Sequence, residues 1–404
     1  MAASRSIGRS FRSVWLSVMV SSAGDGMFLT AFPLLAAILT RDPVLIAGVT
    51  IASRLPWLVF SLFTGALADR MDRRRLMIGA DLIRFVIVGL LGAAILTDTV
   101  NIWMLYASAF LLGSCETLHV NAAQGLIPAI VKQEDLLEAN ARFASGQIVA
   151  AQFIGPPLGV VMFNASMSLP FLADAATFAG SAALVATVPN EHAVEKPTTK
   201  IFADIKEGIR YTIETTSLRR LTEILAVVNF FYFAANSLLV LYNEDLLGGG
   251  KATFTALSVG AASGTVASRF FLEKITQRLG TTRTLEVSLW AWAAATVGLA
   301  LATNPLTAII SHVILGIGSG WWIALNTTLR QQITPTRMLG RMNAVSRTVT
   351  WGIVPFGALF GGVSARIFGL RGPFIISAVV MVSYAIFSRQ LLKPVREAVN
   401  NLQQ

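Results

Sequence analysis

Residues Gly65-Ala-Leu-Ala-Asp69-Arg70-Met-Asp72-Arg73-Arg74-Arg75 stand where two apolar runs, 44–67 and 76–97, meet. A helix needs about 20 mostly apolar residues to cross a bilayer, and both runs are long enough. The joint between them holds four arginines, so it stays on one side of the lipid. Two lipid-length helices on a short basic hinge are a membrane hairpin, and the rest of the chain follows from that unit.

Working outward, ten more runs of the same kind appear at 13–39, 101–124, 142–163, 168–189, 219–242, 252–273, 284–303, 306–329, 344–367 and 371–392. Composition agrees. The chain has 404 residues, 54% hydrophobic and 13% charged, with a mean hydropathy of +0.65. Soluble domains carry about a quarter charged residues; half that fraction cannot coat a water-facing body of this size. The fold class expected is an all-α membrane protein of twelve transmembrane helices.

The net charge of +10 would suit a nucleic-acid partner. The basic residues instead lie in short clusters between apolar runs, so nucleic acid is excluded and the lipid bilayer is the partner. With both termini placed inside, the inner side collects about 26 of the 32 Lys and Arg residues. About four fall outside (Arg41, Lys251, Arg366, Arg371), and Arg54 and Arg84 fall within spans. An odd number of missed spans would erase this asymmetry. The expected setting is the cell inner (plasma) membrane, multi-pass, with both termini cytoplasmic.

At the N-terminus, Arg5, Arg9 and Arg12 precede an apolar stretch and the small residues Ser21 to Gly24, much like a signal peptide. The apolar run resumes through Leu29 to Leu39, which favours a first membrane helix over a cleaved leader. The single cysteine, Cys115, excludes an intramolecular disulfide and a cysteine metal cluster.

The longest polar stretch bisects the chain. This gives an N-terminal six-helix bundle over 1–189, a cytoplasmic linker over 190–218 and a C-terminal six-helix bundle over 219–404. In the linker, Ile201, Ile205, Ile209 and Ile213 recur every fourth residue beside Lys206, Glu207 and Arg210. That spacing predicts an amphipathic helix, lying on the inner membrane surface or serving as a solvated connector. The halves echo each other. Asn121 to Pro128, Asn140-Ala and Gly155-Pro-Pro-Leu-Gly159 match Asn326 to Pro335, Asn343-Ala and Pro355-Phe-Gly357. Paired bundles of this kind are a common plan for secondary transporters.

The residues Gly65 to Arg75 resemble the signature loop of the major facilitator superfamily, Gly-x-Leu-Ala-Asp-Arg-x-Gly-Arg-Arg, with Asp72 in place of the second glycine. Gly155-Pro156-Pro157-Leu158-Gly159 is similar to the antiporter motif of that superfamily, with Val160 replacing its last glycine. Ser22 to Gly26, Asp81-Leu-Ile-Arg84 and Asp174-Ala-Ala-Thr-Phe resemble the branch of macrolide-efflux and siderophore-export proteins. The resemblance implies two pseudo-symmetric six-helix bundles around a cavity lined by spans one, four, seven and ten. It implies a conformational latch built from Gly65, Asp69, Arg70, Arg73 and Arg74, although a merely topogenic basic loop would read alike. It marks Gly155, Pro156 and Gly159 as an antiporter-type packing element. The arginine that many proton antiporters of the superfamily carry in span four has no counterpart, since Ala109 stands there. Coupling through that residue is excluded.

Charges at membrane depth cost free energy and usually face a cavity or a partner. Asp25 in span one and Arg54 in span two lie at comparable depth and are expected to pair, statically or with Asp25 exchanging its partner for a proton or a cationic drug. Glu116 and His119, three residues apart in span four, share a helix face. A carboxylate deprived of water beside an imidazole can carry a proton, though a lone histidine can equally be a packed hydrogen-bonding residue. In the second half, Asn229, Tyr232, Asn236, His312, Trp321, Trp322 and Asn326 are the expected lining of an apolar cavity; an interfacial belt would also account for the tryptophans. Arg347 with Trp351 suits a gate.

No phosphate loop, zinc-protease helix or hydrolase elbow is present, so no catalytic residue, metal site or cofactor is expected. The expected function is secondary active transport: proton-coupled export of amphipathic small-molecule substrates, drugs or metabolites, by a monomer. The alternatives are a metal-ion or nutrient transporter of the same fold with Asp25 and Glu116 as ligands, and a non-transporting membrane receptor or scaffold.

Overall fold

A computed structural model describes residues 8–132, 135–189 and 201–403. Among the described residues there is helix and connecting turn and no strand. The first half runs through α1 (Arg9–Leu39), α2 (Pro43–Arg70), α3 (Arg73–Leu96), α4 (Ile102–Ile130), α5 (Leu136–Ile148), α6 (Gly155–Ala165) and α7 (Leu169–Ala186). After α8 (Ile201–Glu214) come α9 (Thr216–Asn236), the single turn α10 (Leu239–Leu241), α11 (Lys251–Leu279), α12 (Thr281–Leu301) and α13 (Pro305–Ile333). The chain ends with α14 (Thr336–Gly352), α15 (Val354–Phe368), α16 (Gly372–Ile386), α17 (Ser388–Leu391) and α18 (Lys393–Gln403).

Among the described residues, eight stretches are long and apolar enough to cross a membrane, and α9 with the segment after it, bent by 48°, makes a ninth. Together with α4, α11 and the shorter apolar α16, they fall on the twelve stretches expected from sequence.

Local chemistry sets the breaks. Asp72, the departure from the signature glycine, is the N-cap of α3: its Oδ1 accepts from the backbone N–H groups of Arg74 and Arg75 at 2.9 and 3.2 Å. Asn101 and Asn304 cap α4 and α13 in the same way. Between α5 and α6 the helix widens into a π segment, Val149–Ile154, where Gly155 N–H reaches back five residues to Ala150 O. Pro156 and Pro157 follow at once, and neither has an N–H to close an α-helical bond.

The chain forms two compact units. The first comprises Met1–Leu39 and Leu55–Thr198, the second Thr40–Arg54 and Thr199–Gln404. The start of α2 thus packs with the second unit. Arg41 there reaches Glu244 at 2.6 Å and Asp245 at 3.0 Å. Gly362 of α15 leaves room for the backbone of Val44, whose Cα would stand 3.0 Å from an added Cβ.

In the first unit α1 packs on α6 and α7, and α3 on α4 and α7. A Cβ on Gly155 would lie 2.5 Å from Ala23 O and 2.6 Å from Gly26 Cα, and one on Gly159 2.7 Å from Met27 O. Glycines four apart therefore bring α6 onto the α1 backbone, the small-residue packing that membrane helices favour. The second unit repeats this. Gly357 and Gly361 of α15 press on the backbone of α9 at Phe230 and Ala234, so the internal echo of the sequence is an echo in packing. The second unit's core holds Leu221, Leu289, Trp292, Trp322, Leu329 and Leu392, all nearly or fully buried.

Helix α8 rests on α14, with Gly208 under Arg341 and Thr212 buried, while Ile209 and Ile213 are exposed on another face beside Lys206 and Arg210. Residues 190–200 of the expected linker, and the side chains of Ile201 and Ile205, lie outside the described residues.

Candidate functional site

The first unit is built around polar residues that occupy core positions. The inward stripe of α3 reads Met77, Asp81, Arg84, Val88, Leu91 and Ile95, in steps of three and four. That of α7 reads Phe171, Asp174, Phe178, Ser181 and Val185. Each helix thus places ionisable or hydroxyl side chains exactly where its period demands an apolar one. Such substitutions are retained only with partners.

Asp81 has them. It is fully buried, and its Oδ2 accepts from Ser181 Oγ of α7 at 2.6 Å. Its Oδ1 stands 3.5 Å from His119 Nε2 of α4 and 3.9 Å from Arg84 Nη1. The Arg84 guanidinium lies 4.9 Å over the Phe178 ring, a favourable position for a desolvated cation. Asp25 sits half-buried between Gly24 and Gly26 of α1, within electrostatic reach of Arg84, Glu116, His119 and Asp81. The flanking glycines fix its height: Gly26 meets Gly155, and a Cβ on Gly24 would collide with the side chains of Asp174 and Thr177.

Asp25 is therefore within electrostatic reach of Glu116 and His119, a grouping the sequence reading, which paired Asp25 with Arg54, did not make. The cation beside Asp25 in its own unit is Arg84, which sequence reasoning left as an isolated charge. Arg54 belongs by packing to the second unit, where its guanidinium lies 5.3 Å over the Trp351 ring and within reach of Tyr232. Asp81 and Asp174 were legible only as family-like motifs, and Arg84 as such and as a charge within a span. Their spacing relative to the apolar stripes of α3 and α7 was the signal for a buried role.

In the second unit, Tyr232, Asn236 and His312 line one cavity with Thr296, Phe374 and Ser377, about 20 Å³ for a water-sized sphere, room for one water. His312 is buried, and its Nδ1 is 3.0 Å from Ala308 O. A carbonyl only accepts, so Nδ1 carries the hydrogen. Asn229 stands apart and ties α9 to α14, donating to Thr350 O at 2.7 Å. The two tryptophans are buried between helices. Because α13 is packed between α11 and α12, adjacent residues are both covered. Trp321 donates to Ser268 O at 2.9 Å, and Trp322 is wholly buried against Trp292. Asn326 is buried too, its Oδ1 without a hydrogen-bond partner among the described residues.

Of the expected latch, the side chains of Gly65, Asp69 and Arg70 lie outside the described residues. Arg74 is bound within its own unit, donating from Nε to Val185 O at 3.2 Å and also to Ala186 O. It thereby covers carbonyls at the end of α7. Among the described residues no group of three or more His, Cys, Asp or Glu side chains is arranged to hold a metal ion.

Two helical units with lipid-length helices, close glycine packing within each and charged residues at membrane depth describe a polytopic membrane protein with a polar interior. Residues 6–403 match the family described as transmembrane secretion effector, and the chain belongs to that family. It is 20% identical over 384 residues to macrolide efflux protein A of Streptococcus pyogenes, covering 93% of this chain and 94% of that one. It is 25% identical over 392 residues to the multidrug efflux pump Tap of Mycolicibacterium fortuitum, covering 91% and 92%. The crystal structure of a mutant nucleoside transporter NupG superposes with a TM-score of 0.75 at 11% identity, over 95% of this chain and 100% of that one. The protein is thus a multi-pass membrane transporter of small molecules and not an enzyme.

Proposed function

We propose that this protein exports amphipathic drugs or metabolites in exchange for protons, by alternating access. In this reading it works as a monomer in the plasma membrane, with both termini on the inner side. One observation carries the proposal: a group of acidic side chains, Asp25, Asp81 and Asp174 with Glu116, surrounds the Arg84 guanidinium inside one membrane bundle. Carboxylates withdrawn from water are stable only when paired or protonated, so such a group is suited to taking up and releasing protons. The relatives, a macrolide efflux protein and a multidrug efflux pump, support the direction and the substrate class. In this reading Asp25, half-buried like Glu116, meets protons or cationic substrate. Tyr232, Asn236 and His312 supply polar contacts in the second bundle, and the loop carrying Gly65, Asp69, Arg70, Arg73 and Arg74 serves as the latch.

The test is drug susceptibility of cells expressing wild type, Asp25→Asn or Glu116→Gln. Export against protons requires that wild type raises resistance and that both variants lose it at equal protein level. Unchanged resistance with altered cellular metal content would favour a metal transporter using these carboxylates. No change in either would favour a receptor or scaffold.

A further inference from the structure

Asp81 and Asp174 are equally deep carboxylates on neighbouring helices, yet their surroundings differ. Asp81 has a short hydrogen bond from Ser181, with His119 and Arg84 within 4 Å. Asp174, 1% exposed, has no cation within ion-pair distance among the described residues. Among the described residues its only side-chain hydrogen bond is a 3.3 Å contact from Thr177 Oγ1, a hydroxyl it shares with the Asp174 carbonyl at 2.7 Å. An ionised carboxylate offers about four acceptor sites and is poorly served by one long bond. A carboxylic acid needs no counter-charge.

We propose that Asp174 is a proton-carrying group of this transporter, exchanging its proton with Asp25 across the Gly24 contact while Asp81 and Arg84 keep their charges. This rests on the proton-exchange reading above and names the group that stores the proton. The route is short, because the Asp174 carboxyl lies against the α1 backbone at Gly24, one residue from Asp25. The two carboxyls also feel each other electrostatically.

The charged groups around Asp174 are Asp25 on α1, Asp81 and Arg84 on α3, and, beyond Arg84, Glu116 and His119 on α4. Helix α6, which also packs on α7, has no charged residue. Four carboxylates, Glu116 included, face one guanidinium and one imidazole, so even with the imidazole counted as a cation two protons must be held for neutrality. The cluster also has unused capacity. Among the described residues, Asp81 Oδ1, Arg84 Nε and His119 Nε2 are buried without hydrogen-bond partners, so Arg84 Nε has a donor to offer Asp174 when the proton leaves. In each cycle the O–H bond of Asp174 breaks as that of Asp25 forms, and Asp25 then releases the proton to water. No oxidant or other reactant is needed.

The test uses the full chain in proteoliposomes, with ethidium as the amphipathic cation. Wild type must accumulate dye when a pH gradient is imposed; if it does not, the exchange reading fails whatever Asp174 does. Given that accumulation, Asp174→Asn should lose gradient-driven uptake to the passive level while retaining downhill ethidium exchange. Asp174→Asn with wild-type gradient-driven uptake overturns the proposal, as does loss of both activities with an unchanged melting profile. Should the asparagine variant fail to fold, Thr177→Val removes the single hydroxyl donor. It should move the pH midpoint of exchange alkaline by about half a unit, as expected for one weak hydrogen bond, and an unmoved midpoint overturns the proposal.

Discussion

Replacing Gly155 by alanine adds one methyl group at the tightest point of the α1–α6 contact. That carbon would stand 2.5 Å from Ala23 O and 2.6 Å from Gly26 Cα, where ordinary contacts begin at 3.4 Å. Both obstacles are backbone, so no side chain can rotate aside. The two helices must separate by about 0.9 Å, the difference between 3.4 and 2.5 Å. Overpacking of this kind costs about 1–3 kcal/mol. Because Gly159 meets α1 one turn further on, at Met27, the same displacement weakens that contact as well. A control lies in the same bundle: nothing stands within 4 Å of a Cβ on Gly89 of α3. There alanine should be neutral or stabilising by up to about 1 kcal/mol, through helix propensity alone. The assay is thermal melting of the purified variants in one detergent, with ethidium transport measured in parallel. Gly155→Ala should melt several degrees below Gly89→Ala and transport less, since the displaced backbone carries Asp25. Equal melting of the two variants would refute the close-packing account.

Three further outcomes follow from named contacts. Ser181→Ala removes the 2.6 Å hydrogen bond to buried Asp81 and should cost about 1.5–3 kcal/mol, the value of a bond to a charged group; an unchanged melting point would mean that Asp81 is not the charged member. Trp322→Ala empties a fully buried site in the second unit and should cost about 3–5 kcal/mol, read as lost thermal stability or lost folded yield. Arg41→Ala removes two exposed ion pairs, each worth about 0.2–1 kcal/mol. Its small effect should vanish in high salt, and a large salt-independent loss would show that Arg41 does something else.

Much of the fold was legible because lipid imposes a single strong rule on composition and length, and the basic clusters repeat it independently. The glycine pair Gly155 and Gly159 could be read as a packing element because it takes its shape from backbone alone. The charged cluster was only half legible. Asp25, Glu116 and His119 stand out as polar residues in apolar runs. Arg84 was noted as a charge within a span, but which carboxylate it would join depends on how α1, α3 and α7 rotate against one another. Depth alone suggested Arg54 for Asp25; the packing of α1, α3 and α7 adds Arg84 to the groups around it. The burial of Trp321 and Trp322 was not legible for a related reason: periodicity fixes which residues share a face, not whether that face meets a cavity or two neighbouring helices.

The widened turn at Val149–Ile154 amounts to one surplus residue in an otherwise regular helix. Each α-helical residue turns the chain by about 100°, so that surplus sets the azimuth of everything downstream. Gly155 and Gly159 look toward α1 because of it. Deleting a single residue from this turn would leave the motif's letters intact and swing its smooth side more than a quarter turn away from Asp25, making spacing here as much a part of the motif as glycine and proline.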